Sequence, residues 1–124
     1  AIPIFIRKAM ANEDITIFGD GEQTRDFVYV KDIVAALAYA AESTDLHGTY
    51  NVGYGKSITI NRIVAEITGF TGSSSKIQHE SERPGDVKHS RASVDRLIET
   101  GFMPSHTLEE GIAVTLDFYK NLVR

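Results

Sequence analysis

The chain has no cysteine, no tryptophan, 3 prolines and no apolar run on the scale of a membrane span. Without cysteine there is neither a disulfide framework nor a thiolate metal site, and a reducing, cytoplasmic compartment fits. A bilayer helix needs about 20 consecutive apolar residues, and no signal-peptide pattern opens the chain, so no membrane partner is expected. A basic excess is missing too. Lys and Arg number 13 against 17 Asp and Glu, a net charge of −4, which is a poor basis for gripping a phosphate backbone, and no nucleic-acid partner is expected. What is present is 42% hydrophobic residues over 124 positions, enough for one modest domain with a real core, residues 1–124. The chain opens without a methionine and enters helical periodicity at once, which reads as the interior of a longer protein.

Ile2, Phe5, Ile6, Ala9 and Met10 recur at helical spacing with Pro3 in the first turn, so residues 2–12 read as an amphipathic helix that Asn12 can close. Ile15–Phe18 and Phe27–Val30 read as short strands. Between them Gly19-Asp20-Gly21 marks a sharp turn that tolerates positive φ. Asp32 is a candidate N-cap for a helix over 33–42 whose face is Ile33, Ala36, Leu37, Ala40 and Ala41. Residues 49–52 read as a strand, and residues 58–69 as a helix capped by Thr59 with Ile60, Ile63, Val64 and Ile67 as its stripe. The Gly72-Ser73-Ser74-Ser75 run reads as a flexible loop, and residues 76–79 as a short strand. Arg83-Pro84-Gly85-Asp86 reads as a turn. Ser93 is a candidate cap for a short helix through Ile98, and Thr107 to Glu110 form a capping-box pattern before the last helix.

Familiar catalytic arrangements are absent. Gly19-x-Gly21 has Thr24 where a dinucleotide fingerprint needs its third glycine, and Gly53-x-Gly55 has Ile58 there. Gly55-Lys56-Ser57 resembles the end of a triphosphate loop but has Tyr50 in place of the leading glycine. His47, His79, His89 and His106 are scattered and predict no metal site. No tyrosine has lysine four residues later, and there is no Gly-x-Ser-x-Gly elbow. The arginines remain. Arg25 and Arg83 each sit in a glycine-containing loop and are followed by an aspartate, Asp26 directly and Asp86 within the turn. Taken singly, each reads as a local or surface ion pair. Taken together, they read as two guanidiniums converging on one phosphate, with Asp86 able to accept from hydroxyls of the same ligand.

The stretch Gly19-Asp20-Gly21-Glu22-Gln23-Thr24-Arg25-Asp26-Phe27-Val28-Tyr29-Val30-Lys31-Asp32, then Tyr50-Asn51-Val52-Gly53, then Arg83-Pro84-Gly85-Asp86, resembles the C-terminal part of nucleotide-sugar epimerases and dehydratases. These are extended short-chain dehydrogenase/reductases, and the resemblance is greatest to UDP-glucose 4-epimerases of bacterial and archaeal type. It covers essentially the whole chain and implies an α/β fold, the small mixed C-terminal substrate-binding lobe, with the Rossmann lobe absent. By position it implies that Arg25 and Arg83 clamp the nucleotide diphosphate and that Asp86 reaches the ribose hydroxyls. Thr16, Ile17 and Phe18 would lie along the uracil, and Asp32 would be a structural carboxylate. Ser93 stands where relatives usually carry Asp.

The resemblance further implies a UDP-sugar substrate and NAD as cofactor of the whole enzyme, which would epimerise UDP-glucose and UDP-galactose through a 4-keto sugar in galactose metabolism. No catalytic, cofactor-binding or metal-binding residue is expected in this chain. Alone it is expected to bind no NAD, to be inactive, and either to self-associate or to be only marginally stable for want of its partner lobe. A dehydratase, a UDP-N-acetylhexosamine epimerase or a non-catalytic nucleotide-sugar binding module are the alternatives.

Overall fold

The structure is a computed structural model, and it describes residues 1–122. Five helices and four short strands follow in the order α1 (Ile2–Met10), β1 (Ile15–Phe18), β2 (Thr24–Arg25), α2 (Val30–Glu42), β3 (Ile58–Thr59), α3 (Ile60–Thr71), β4 (Ile77–Glu80), α4 (Asp95–Ile98) and α5 (Leu108–Leu122). Two small sheets result. β1 pairs with β4 in parallel, from Ile15 opposite Ile77 to Phe18 opposite Glu80. β2 pairs with β3 antiparallel, with Arg25 opposite Ile58. The mixed α/β class expected from the sequence is present.

The main core is where α1, β1, α3 and α5 meet. Helix α3 turns its whole predicted stripe, Ile60, Ile63, Val64 and Ile67, into this core. Ile6, Ile15, Ile17, Ile63, Val64 and Ile67 are all fully or almost fully buried. Each such side chain contributes roughly 1.5–3 kcal/mol relative to exposure. The ends of α3 are chemically defined: the Thr59 hydroxyl accepts from the Arg62 amide at 3.0 Å, and Gly72 closes the helix at φ 63°. The capping box before α5 forms as read, since Thr107 N–H donates to the Glu110 carboxylate at 2.8 Å and Glu110 N–H donates to the Thr107 hydroxyl at 3.2 Å. A second, smaller cluster gathers Ala36, Leu97 and Phe102.

Several expectations are corrected. Phe27–Val30 is not a strand: pairing stops at Arg25, and Val30 already lies in α2. Tyr29, extended at ψ 139°, occupies the N-cap, so Asp32 is a first-turn residue whose carboxylate is drawn to another segment. Of the predicted α2 face only Ala36 is buried, and Leu37 is 65% exposed. Residues 49–52 form no strand, since no ladder in the described residues includes them. Val94, not Ser93, occupies the N-cap of α4. The serine run is tied rather than free: Asn12, itself at φ 56°, accepts from the Ser74 amide at 2.9 Å. Strand β4 begins one residue later than read and ends at Glu80.

Candidate functional site

Strand β1 alternates. Ile15 and Ile17 point into the core, while Thr16 and Phe18 are half-buried on the other face. Its Ile15 amide, and the Gly19 amide just beyond it, bond to the β4 side at Lys76 and Glu80. In a parallel ladder alternate residues bond to the same neighbour, so the main chain of Thr16 and Phe18 belongs to the opposite edge, which no strand among the described residues covers. Ile17 shares the β4-facing side of the ladder with Ile15 and its side chain is buried, so it lines the cleft as part of the strand without offering a free polar group.

The turn after β1 needs its glycines. Gly21 adopts φ 76°, and a Cβ there would meet the Asn61 side chain at 1.9 Å. Asn61 Nδ2 in turn donates to the Asp20 carbonyl at 3.0 Å and to Glu22 at 2.7 Å. The loop is thus seated on the first turn of α3, and Gln23 returns to the Phe18 carbonyl at 2.8 Å. This places Thr24 and Arg25 between β3 on one side and residues 88–90 on the other, where the Thr24 amide donates to Lys88 and the Ser90 amide to Thr24.

Arg25 does not pair with Asp26. Its Nη2 meets Asp86 Oδ1 at 2.6 Å and its Nη1 donates to the Thr24 carbonyl at 2.8 Å. The guanidinium is held by two of its donors and keeps the others for a ligand. Asp26 is instead a staple that sequence reasoning missed. Its carboxylate accepts from the amides of Tyr54 at 2.7 Å, Gly55 at 2.8 Å and Ala92 at 3.3 Å. Only the aspartate directly after Arg25 hinted at it.

Gly85, at φ 80°, takes the left-handed position of a turn that Pro84 opens, and the Asp86 amide closes it onto the Arg83 carbonyl at 3.2 Å. Arg83 and Asp86 therefore sit at the two ends of one turn. Arg83 makes no ion pair among the described residues, and its guanidinium carbon lies 3.9 Å from the centroid of the Phe18 ring. All six residues singled out from the sequence, Thr16, Ile17, Phe18, Arg25, Arg83 and Asp86, line one cleft of about 440 Å³. A face of base-reading size, two guanidiniums and a carboxylate are the parts a nucleoside diphosphate would use.

Asp32 lies outside this cleft. It is 1% exposed and accepts from the Ser105 amide, the Ser105 hydroxyl and the His106 amide, and from His106 Nδ1 at 2.7 Å. A carboxylate only accepts, so His106 carries its proton on Nδ1 in this pair. Burial pushes the Asp32 carboxyl up, but the hydrogen bonds from His106 and Ser105 outweigh it and hold its pKa below the ordinary carboxylate value. The pair joins the start of α2 to the segment before α5.

The glycine turns offer nothing to a dinucleotide. Gly19–Gly21 leads into β2 rather than a helix, and the Tyr54 and Gly55 amides that could face a phosphate are taken by Asp26. Among the described residues no group of three or more His, Asp or Glu could hold a metal ion, and no helix is long and apolar enough to cross a membrane.

A model of the NAD dependent epimerase/dehydratase family matches residues 1–53. The chain is 34% identical over 121 residues to a UDP-glucose 4-epimerase of Mycolicibacterium smegmatis, covering 97% of this chain and 39% of that protein. A dTDP-glucose 4,6-dehydratase of Xanthomonas campestris pv. campestris is 31% identical over 129 residues, covering 95% of this chain and 37% of that protein. Among solved structures, the UDP-N-acetylglucosamine 4-epimerase from Methanobrevibacter ruminantium M1 in complex with UDP-N-acetylmuramic acid superposes with a TM-score of 0.91 at 41% identity, over 98% of this chain and 39% of that chain. The chain thus spans 37% to 39% of the length of these relatives. In sequence and in fold alike, it belongs to the NAD-dependent epimerase/dehydratase family of extended short-chain dehydrogenase/reductases.

Proposed function

We propose that residues 1–124 are the nucleotide-sugar binding domain of an NAD-dependent UDP-glucose 4-epimerase, in which Arg25 and Arg83 clamp the diphosphate. The observation that carries this reading is the meeting of Thr16, Ile17, Phe18, Arg25, Arg83 and Asp86 in one cleft. The open edge of β1 offers main-chain groups to a uracil edge, and the Phe18 ring lies beside it. Asp86 holds Arg25 through Oδ1 and keeps Oδ2 for a ribose hydroxyl. Interconversion of UDP-glucose and UDP-galactose needs hydride transfer at the sugar, which NAD supplies when bound. This chain supplies the hold on the nucleotide, and the Tyr-x-x-x-Lys pair and the dinucleotide loop would come from a Rossmann lobe outside residues 1–124. A cytoplasmic setting and a role in galactose metabolism belong to the same proposal.

Calorimetry with UDP tests it. Arg25→Ala and Arg83→Ala should each weaken UDP about tenfold or more, the scale of losing a charge-assisted hydrogen bond, with little effect on uridine. Unchanged UDP affinity in both variants would sink the clamp. The dehydratase and N-acetylhexosamine epimerase among the relatives favour a second reading, the equivalent part of an enzyme acting on another nucleotide sugar. It differs in the sugar handled and keeps the same clamp. Alone, the chain should neither turn over a UDP-hexose nor stay monomeric, because Val30, Val34 and Leu37 form an exposed apolar row on α2. A monodisperse monomer in sedimentation velocity contradicts the second half of that statement.

A further inference from the structure

Strand β4 is 4 residues long, exposed at every position, and partnered on one edge only. The Lys76 and Glu80 carbonyls take the Ile15 and Gly19 amides of the β1 side. Alternate residues of a parallel ladder bond to the same neighbour. The main chain of Gln78 therefore turns to β1 as well, and that of Ile77 and His79 faces the outer edge. Among the described residues no strand covers that edge. Its charges are placed symmetrically about Gln78. Lys76 lies two residues before it and Glu80 two residues after. Both are exposed, and neither forms an ion pair among the described residues. Ile77, on the opposite face of the strand, is 46% exposed.

We propose that this edge pairs with the same edge of a second copy of the chain, antiparallel, across a twofold axis at Gln78. The main-chain pattern fits that register. With Gln78 opposite its counterpart, Ile77 stands opposite the partner's His79, and these two residues exchange both hydrogen bonds on each side of the axis. Lys76 then stands opposite the partner's Glu80, and Glu80 opposite the partner's Lys76. Both are non-hydrogen-bonded positions, where cross-strand side chains come closest. Parallel pairing in register would set lysine against lysine and glutamate against glutamate, so charge selects the antiparallel arrangement. Charged residues on an edge strand ordinarily oppose pairing. Here opposite charges equidistant from one residue leave a register in which both are matched. The same pairing covers Ile77. The contact is isologous and uses up the edge on which it forms. Its ladder is short, so the dimer is weak and depends on concentration. The inference is independent of the diphosphate clamp.

Sedimentation velocity of the whole chain, loaded from about 10 μM to about 1 mM to span the Kd range of small contacts, reads the association. Glu80→Lys and Lys76→Glu each set like charges at both matched positions and should weaken the dimer about tenfold or more. The double variant, Lys76→Glu with Glu80→Lys, restores both attractions and should recover the original association. The chain has no cysteine, so the register has a probe of its own. Gln78→Cys sets two thiols at a non-hydrogen-bonded pair with Cα atoms about 4.5 Å apart, within the span a disulfide bridges. Under oxygen it should give a cross-linked dimer. Ile77→Cys, off the axis and diagonal to its counterpart, should cross-link far less. A chain that is monomeric at every loading overturns the proposal. So do charge variants that associate as the unaltered chain does, since the contact then lies elsewhere, as on the exposed row of α2. Equal cross-linking of the two cysteine variants overturns it as well.

Discussion

Helices α3 and α2 are nearly equal in length, 12 and 13 residues, and both are apolar at helical spacing. They are used in opposite ways. The stripe of α3 faces α1, β1 and α5 and is buried at every position. On α2 the fully buried residues are Asp32 and Ala36, while Val30, Val34 and Leu37 stay exposed. One helix is held by a continuous apolar stripe, the other by the small cluster of Ala36 with Leu97 and Phe102 and by a carboxylate reaching Ser105 and His106. An apolar period therefore reports which face can be buried, and the neighbouring elements decide whether it is.

The largest test of this contrast is a pair of truncations. Ile63→Ala should cost about 2–5 kcal/mol, the range for emptying a well-packed core site. Leu37→Ala should stay within about 0.5 kcal/mol. Urea unfolding of both variants reads the difference, and equal losses would mean that α2 has a hidden packing partner. Next in size is Asp32→Ala, which strips the acceptor from the Ser105 and His106 amides and should cost about 1–3 kcal/mol. Asp32 also sets a pH dependence. Its folded pKa is depressed, so its contribution is fully present above the ordinary carboxylate value, about 3.9, and is lost as the pH falls through the lower folded value. An unfolding series from pH 6 to pH 2 should show this loss, and Asp32→Asn should flatten that component. Smallest is Thr107→Ala at the capping box, expected to cost about 1 kcal/mol. Its helicity by circular dichroism should fray at the start of α5 only.

The candidate site was largely legible because its residues carry their own local reasons. Arg83-Pro84-Gly85-Asp86 encodes a turn that brings its first and last residues to one place, and Gly19 and Gly21 encode the bend that turns the chain toward Arg25. The resemblance then joined segments more than 50 residues apart, which no local rule does. What stayed hidden was the choice of polar partner. Arg25 takes Asp86 and leaves its neighbour Asp26 to three amides in distant segments. Asp32 looked like a cap because caps and long-range staples use the same side chain. The false strands at 27–30 and 49–52 have the right composition, but β-branched and aromatic residues form a ladder only beside a free partner edge.

The uncovered edge of β1 has one more consequence. Main-chain groups set out in a row to meet a base are equally ready to meet another strand, which is how sheets recruit foreign chains. If a nucleotide lies along Thr16 and Phe18, it closes the sheet as well as entering a site. Ligand occupancy would then act as a guard against edge-to-edge assembly, and the empty protein would be the form most exposed to it.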